Sequence, residues 1–429
     1  MLSAAPVQVQ RSNTDIMEQD KKANNDFVPV YKRTVQVIVI SMVIFFAPLS
    51  FTYFFDETHT SNLSDKVLAI LVNPEFAYGE GSATLSDING GQMRIFLRNL
   101  TAMVSHTIAG SIAIVLGLPQ FNTTLQFRYP AIHRFLGRLY ILCALTISWS
   151  SRTFLADAMP KHEVFSGDLF AYMLWSLSHG VLGTLALAIY AIWNRDIGSH
   201  REFMVLNYAF MLSAPVLRVA WVILGQLWGE TKYIINLYSS IFSGPFLVAA
   251  SIFYLRQQHV RPSSSLLISS KFRLAAIASG LLGLLFQITK GPSFNGGPYP
   301  KAFLLALGPQ LACYILLFAT LARAAKRRGD MGSYTAWITY QNGLISAPMW
   351  SVLSLYVARD ILRCSEESLW MITVTEGFSQ GLFSSFVIYV LATSKLANAR
   401  RHTIYSEERE VTDPWKELKK LKINKSYVS

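Results

Sequence analysis

The sequence predicts an all-α protein, a polytopic bundle of transmembrane helices. Hydrophobic residues make up 52% of the 429-residue chain and charged residues only 15%, a balance that belongs to lipid rather than to a soluble globule. Several apolar runs reach about 20 residues, enough for a helix to cross about 30 Å of hydrocarbon. The runs are continuous rather than alternating, which excludes a strand barrel.

About ten spans are expected, near 35–55, 99–118, 136–156, 168–193, 203–227, 233–254, 272–289, 302–323, 334–357 and 369–392. The seventh is short, and the ninth is polar and interrupted by Pro348. Residues 1–34 are polar and lack the apolar core of a cleavable signal, so they read as a disordered cytosolic leader. Residues 35–255 form a histidine-bearing six-helix bundle and 256–271 a basic cytosolic linker. A four-helix bundle follows over 272–392, with a basic cytosolic tail over 393–429. That tail reads as solvated charge, with a short amphipathic helix on an anionic leaflet as the alternative.

The net charge of +12 is no sign of nucleic acid, because the positive residues lie between spans and in the tail. Lys32/Arg33, Arg128/Arg134, Arg195/Arg201, the 256–273 linker, Arg323–Arg328 and the tail alternate with loops poorer in Lys and Arg. By the positive-inside rule this places both termini in the cytosol, N-in/C-in. The partners implied are the bilayer and a lipophilic small molecule, and the expected location is the endoplasmic reticulum membrane. Asn62 lies in an N-x-S sequon of the long acidic first loop and is the candidate glycosylation site. Cys143, Cys313 and Cys364 are too scattered for a disulfide framework or a thiolate metal site.

One stretch organises the rest. His106, His133, His179 and His200 fall in or at the start of four consecutive apolar helices, and a histidine inside a membrane helix is a functional candidate. At about 1.5 Å per residue, His106 and His179 share one depth, and His133 and His200 another. Two imidazole pairs at two depths would suit two haems in a four-helix bundle, the spacing of cytochrome b561-type proteins. The structural alternative for each histidine is a polar side chain bonding a neighbouring helix.

More specific are Gly117-Leu-Pro-Gln-Phe121, His133-Arg-Phe-Leu-Gly-Arg-Leu-Tyr140 and His200-Arg-Glu-Phe-Met204 followed by Arg218. This succession resembles a family of uncharacterised membrane proteins with a GPxQF…HRxxGRxY…HRxWM…R signature. Leu118 replaces its usual Pro and Phe203 its Trp. With a second bundle and an acidic first loop, the chain further resembles the fungal membrane-bound terpene cyclases of meroterpenoid secondary metabolism, the ascofuranone and macrophorin type. That resemblance implies a metal-independent isomerase without a cofactor. Such an enzyme folds the farnesyl chain of a prenylated phenol or epoxyquinol after protonating an epoxide or alkene.

Proton-initiated cyclisation needs an acid that keeps its proton, a dry pocket and aromatic faces toward a passing carbocation. Asp157, at the loop after the third span, and Glu376, well inside the tenth, are the candidate acids. His106 and His179 are candidate positioning donors or final bases. Arg152 and Arg218 would hold a substrate oxygen, and Trp149, Tyr172, Trp175 and Tyr208 would line the pocket. The competing reading keeps the four histidines as haem b ligands of a membrane oxidoreductase. A third, a transporter, would show matching broken helices in repeated halves; Pro215, Pro245 and Pro348 interrupt spans without such a match.

Overall fold

A computed structural model describes residues 33–54, 63–78, 92–256, 261–290 and 308–412; side chains are described within these except at 92–94, 308 and 395–412. Among the described residues every regular element is helical. Helix α1 covers Arg33–Phe51, followed by the short α2 (Leu63–Leu71), α3 (Pro74–Tyr78) and α4 (Gln92–Arg98). The central run is α5 (Leu100–Gln120), α6 (Thr123–Arg128), α7 (Pro130–Ala158), α8 (Gly167–Trp193), α9 (Ile197–Met211), α10 (Ser213–Trp228) and α11 (Lys232–Arg256). The last run is α12 (Ser270–Lys290), α13 (Gly308–Arg327), α14 (Met331–Ile345), α15 (Ala347–Tyr356) and the long α16 (Glu366–Thr412).

Six of these helices are long and apolar enough to cross a bilayer: α1, α5, α7 with its short 3₁₀ extension, α8, α11 and α12. A seventh crossing results if α9 and α10 count together, although they meet at a 47° bend. The expected fifth span is therefore a broken one. Pro215 has no N–H to donate, and its ring collides with the carbonyl four residues back, at Met211, where α9 ends. The expected ninth span divides in the same way into α14 and α15, with Pro348 in the first turn of α15. Residues 302–307 of the expected eighth span, 1–32 of the leader, 413–429 of the tail and the sequon asparagine Asn62 fall outside the described residues, while 33–34 open α1 and 393–412 continue α16.

The chain is an integral multi-pass membrane protein, and its surface agrees with that class. Ile44 on α1 and Leu274, Leu281, Leu285 and Ile288 on α12 are exposed, while the backbone of each helix is satisfied internally, as hydrocarbon demands. The two halves separated by the 256–271 linker do not stand apart. Helix α16 packs on α8, α9 and α11 as well as on α14 and α15, so both halves share one core. Its close approach to the neighbouring helices uses glycine: a Cβ at Gly381 would meet the Gly343 carbonyl oxygen at 2.6 Å. Small residues let membrane helices touch backbone to backbone.

Buried polar groups pin this core. Glu202, fully buried on α9, accepts from Arg256 Nη2 and Arg261 Nε, both at 2.9 Å. Asn207 bridges three helices, donating to the Val181 carbonyl at 2.8 Å and accepting from Tyr140 Oη at 2.7 Å. A polar atom in hydrocarbon must find a partner, so such contacts specify which helix faces which.

Candidate functional site

Two cavities lie back to back inside the bundle, sharing a wall that includes Phe170, Leu174, Leu177 and Phe210. The first has a volume of about 340 Å³, within the range of small-molecule pockets. It is built from both halves of the chain, α8, α10 and α11 on one side and α15 and α16 on the other. Its walls are apolar and aromatic, with Tyr172, Trp175, Phe210, Trp350 and Phe383. One ionisable carboxyl group faces it, Glu376, only 3% exposed.

Glu376 is held by neutral neighbours. Ser176 Oγ donates to its Oε2 at 2.9 Å, and Gln380 Nε2 approaches the same oxygen at 3.3 Å and Ser176 Oγ at 3.0 Å. Among the described residues no cation pairs with it. A carboxyl group in an apolar site without a counter-ion favours its neutral, proton-bearing form. Ser176 and Gln380 then have an evident purpose: they fix the group's orientation without supplying the positive charge that would ionise it.

At the cavity rim stand His179 on α8 and Leu353 on α15, both exposed. His179 lies on the Trp175 ring at 4.0 Å between centroids, and its Nδ1 is 2.8 Å from the Trp175 carbonyl oxygen. A carbonyl only accepts, so Nδ1 carries the proton and donates; a neutral ring then has Nε2 left as an acceptor. The rim thus carries a ring nitrogen and the interior a carboxyl group.

The second cavity, about 290 Å³, holds His106 and Arg218 together with Ser148, Ser151, Asp65, Trp221 and Lys232. His106 Nδ1 is within hydrogen-bond distance of Ser151 Oγ (3.1 Å) and Ser150 Oγ (3.3 Å).

Four sequence expectations are corrected. Asp157 reaches neither cavity: it pairs with Arg98 at 2.6 Å and Lys161 at 2.5 Å and accepts from Asn99 at 2.7 Å. Two cations and an amide hold it as a carboxylate, the wrong state for an acid. Trp149 is 76% exposed on the outer face of α7 and lines neither cavity. Tyr208 lines neither cavity, being packed over Gly117 with its hydroxyl donating to the Ile114 carbonyl at 2.7 Å. Arg152 lies between α7 and α8 and donates to Ser178 Oγ at 3.2 Å, also outside both cavities.

The haem arrangement does not fit the residues. Equal depth proved insufficient, because His106 faces one cavity and His179 the other, so neither cavity offers two imidazoles to one iron. His133 and His200 are near enough to feel each other's charge, yet neither lines either cavity, and His200 Nδ1 is 2.9 Å from the Ala188 carbonyl oxygen. Sequence reasoning missed Ser176, Trp350 and Phe383. Of the residues it overlooked, only Gln380 had a signal, its i+4 position to Glu376 on one helix face.

Fold and site together define a multi-pass helical membrane protein with an acid-bearing apolar cavity at its centre. Residues 103–255, roughly a third of the chain, match the model of a family described as "Predicted membrane protein (DUF2306)". The matched stretch contains the histidines and the three motifs, and ends at the last turn of α11. No curated protein and no solved structure matches the chain.

Proposed function

We propose that the protein is a membrane-bound terpene cyclase that isomerises a prenylated phenol or epoxyquinol by protonation, with Glu376 as the acid. The observation that carries this reading is a buried carboxyl group, without a cationic partner among the described residues, facing an aromatic-lined cavity within the helix bundle. The resemblance to fungal meroterpenoid cyclases supports the same chemistry.

In this mechanism the substrate enters from the bilayer past His179 and Leu353. The proton of Glu376 passes to the epoxide oxygen, whose carbon–oxygen bond breaks to leave a hydroxyl group and a carbocation; with an alkene, the proton adds to carbon. The π electrons of the next double bond close the ring. Trp175, Tyr172 and Trp350 stabilise the moving positive charge through their ring faces. Loss of a proton to His179 Nε2 ends the sequence, and a return of that proton to Glu376 resets the site. Substrate and product are isomers. The dry walls matter as much as the acid, since water would capture the cation.

The test is conversion of farnesylated phenols and their epoxides in membranes containing wild type, E376Q or D157N. E376Q is expected to lose about 10²–10⁴-fold in kcat, the usual scale for a missing general acid, while D157N stays near wild type. Full activity of E376Q, or its loss only in D157N, overturns the assignment.

The same reading includes ten crossings with both termini in the cytosol. The alternation of basic loops supports it, as does the length of α16, whose apolar portion at 369–392 is buried against α8 and α11.

A further inference from the structure

The second cavity holds a cation that has no hydrogen-bonded counter-ion among the described residues. No hydrogen bond or close ion pair reaches the Arg218 guanidinium there; it lies over the face of Trp221, at 4.6 Å from the ring centroid, with Asp65 and Tyr53 as its electrostatic neighbours. Lys232, by contrast, is matched by Asp65 at 2.7 Å, with both side chains about 5% exposed or less. Among the described residues, two cations thus share one carboxylate in the cavity, and Asp65 is hydrogen-bonded to Lys232 rather than to Arg218. A guanidinium without a hydrogen-bonded counter-ion at this depth is costly, and hydrocarbon cannot solvate it.

Two further features of the cavity are independent of this charge. Ser148 lines the same cavity, is 2% exposed, and its Oγ has no hydrogen-bond partner. The position of the guanidinium is also set in advance. Trp221 beneath it donates Nε1–H to Asn236 Oδ1 at 3.1 Å, and Asn236 in turn donates to Ser166 Oγ at 2.9 Å. A ring held at its edge by a buried network makes a firm platform for the fork of Arg218. Around this polar end the walls are apolar, with Phe46, Leu49, Phe96 and Phe154.

We infer that this cavity binds an amphipathic anion: a head group with one negative charge on oxygen, seated on Arg218 with Ser148 donating a hydrogen bond, and an apolar tail along the aromatic wall. The one cation in excess selects one negative charge, which a carboxylate or a phosphodiester supplies. The site is separate from the Glu376 cavity and stands whether or not the cyclase reading does.

The experiment measures dissociation constants by native mass spectrometry in a neutral glycoside detergent. The probes are laurate, lauryl alcohol as its uncharged counterpart, and a short-chain phosphatidylglycerol. Wild type is expected to bind laurate or the phosphodiester at least about tenfold more tightly than the alcohol, the scale of a hydrogen-bonded charge; the tighter of the two identifies the head group. R218Q is expected to lose that preference while binding the alcohol unchanged, and R218K to retain part of it. S148A leaves every charge in place and is expected to weaken anion binding a few-fold, which keeps the test open if R218Q does not fold. Equal affinity of wild type for laurate, the phosphodiester and the alcohol overturns the proposal, as does an undiminished anion preference in folded R218Q or in S148A.

Discussion

Residues of one type separate by surroundings. Glu376 and Asp157 are both carboxyl groups on long helices, yet one meets a serine and an amide while the other meets Arg98, Lys161 and Asn99. The first setting keeps a proton and the second removes it, so the chemistry of each follows from its neighbours rather than its depth alone. Tyr208 makes the same point for aromatics. Its ring lies so close over Gly117 that a Cβ there would fall 2.0 Å from a ring carbon, which identifies the Gly117–Phe121 motif as a packing seat. G117A is expected to lose about 1–3 kcal/mol by overpacking, read as a lower thermal midpoint in detergent. An unchanged midpoint would show that the ring swings aside freely.

Elements are joined at their ends by capping side chains that do double duty. Asp196 caps α9, accepting from Ser199 N at 3.1 Å and Ser199 Oγ at 2.6 Å, and it also accepts from Ser394 on α16. Burial pushes its carboxyl pKa upward, but the hydrogen bonds from Ser199 and Ser394 and the nearby charge of Arg261 outweigh that and hold it below the usual value. A lowered folded-state pKa gives stability that is present above the unfolded value, about 3.9, and lost as pH falls through the folded one. The thermal midpoint of wild type should therefore fall on acidification below about pH 4 more steeply than that of D196N. Parallel curves for the two proteins would remove Asp196 from this coupling. Proline acts at the same scale: Pro215 and Pro348 each sit in the first turn of a new helix, and both helix breaks border the first cavity through Ser213, Leu217, Trp350 and Leu353. Breaks in membrane helices are tolerated where protein or a cavity receives the freed backbone.

At the scale of the whole molecule, the linker-divided chain closes into one body. Ser176 and Glu376 meet across 200 residues of sequence, and the first cavity exists only because α15 and α16 cover α8, α10 and α11. The proposed topology can be read directly. Cysteines placed singly at positions 20, 200 and 425 of a cysteine-free variant should react with a membrane-impermeant maleimide in sealed microsomes, whose outer face is cytosolic, while one at position 60 should be protected until detergent is added. Reaction of positions 20 and 425 on opposite sides would require an odd number of crossings.

The amino-acid sequence by itself determined the solvent of this protein. Apolar runs of about 20 residues leave a helix no other medium, and the limits of α5, α8, α11 and α12 follow those runs within a few residues. It also marked Glu376 as a carboxylate inside an apolar segment, and Trp175 and Tyr172 as aromatics within a span. Only the tertiary structure decided which candidates share a cavity. Helical periodicity gives a residue's depth but not its azimuth relative to distant helices, and azimuth depends on how neighbouring faces pack. That is why His106 and His179, expected at one depth, look into different cavities, why Trp149 faces outward, and why Arg218 lies with Ser148 rather than with Glu376.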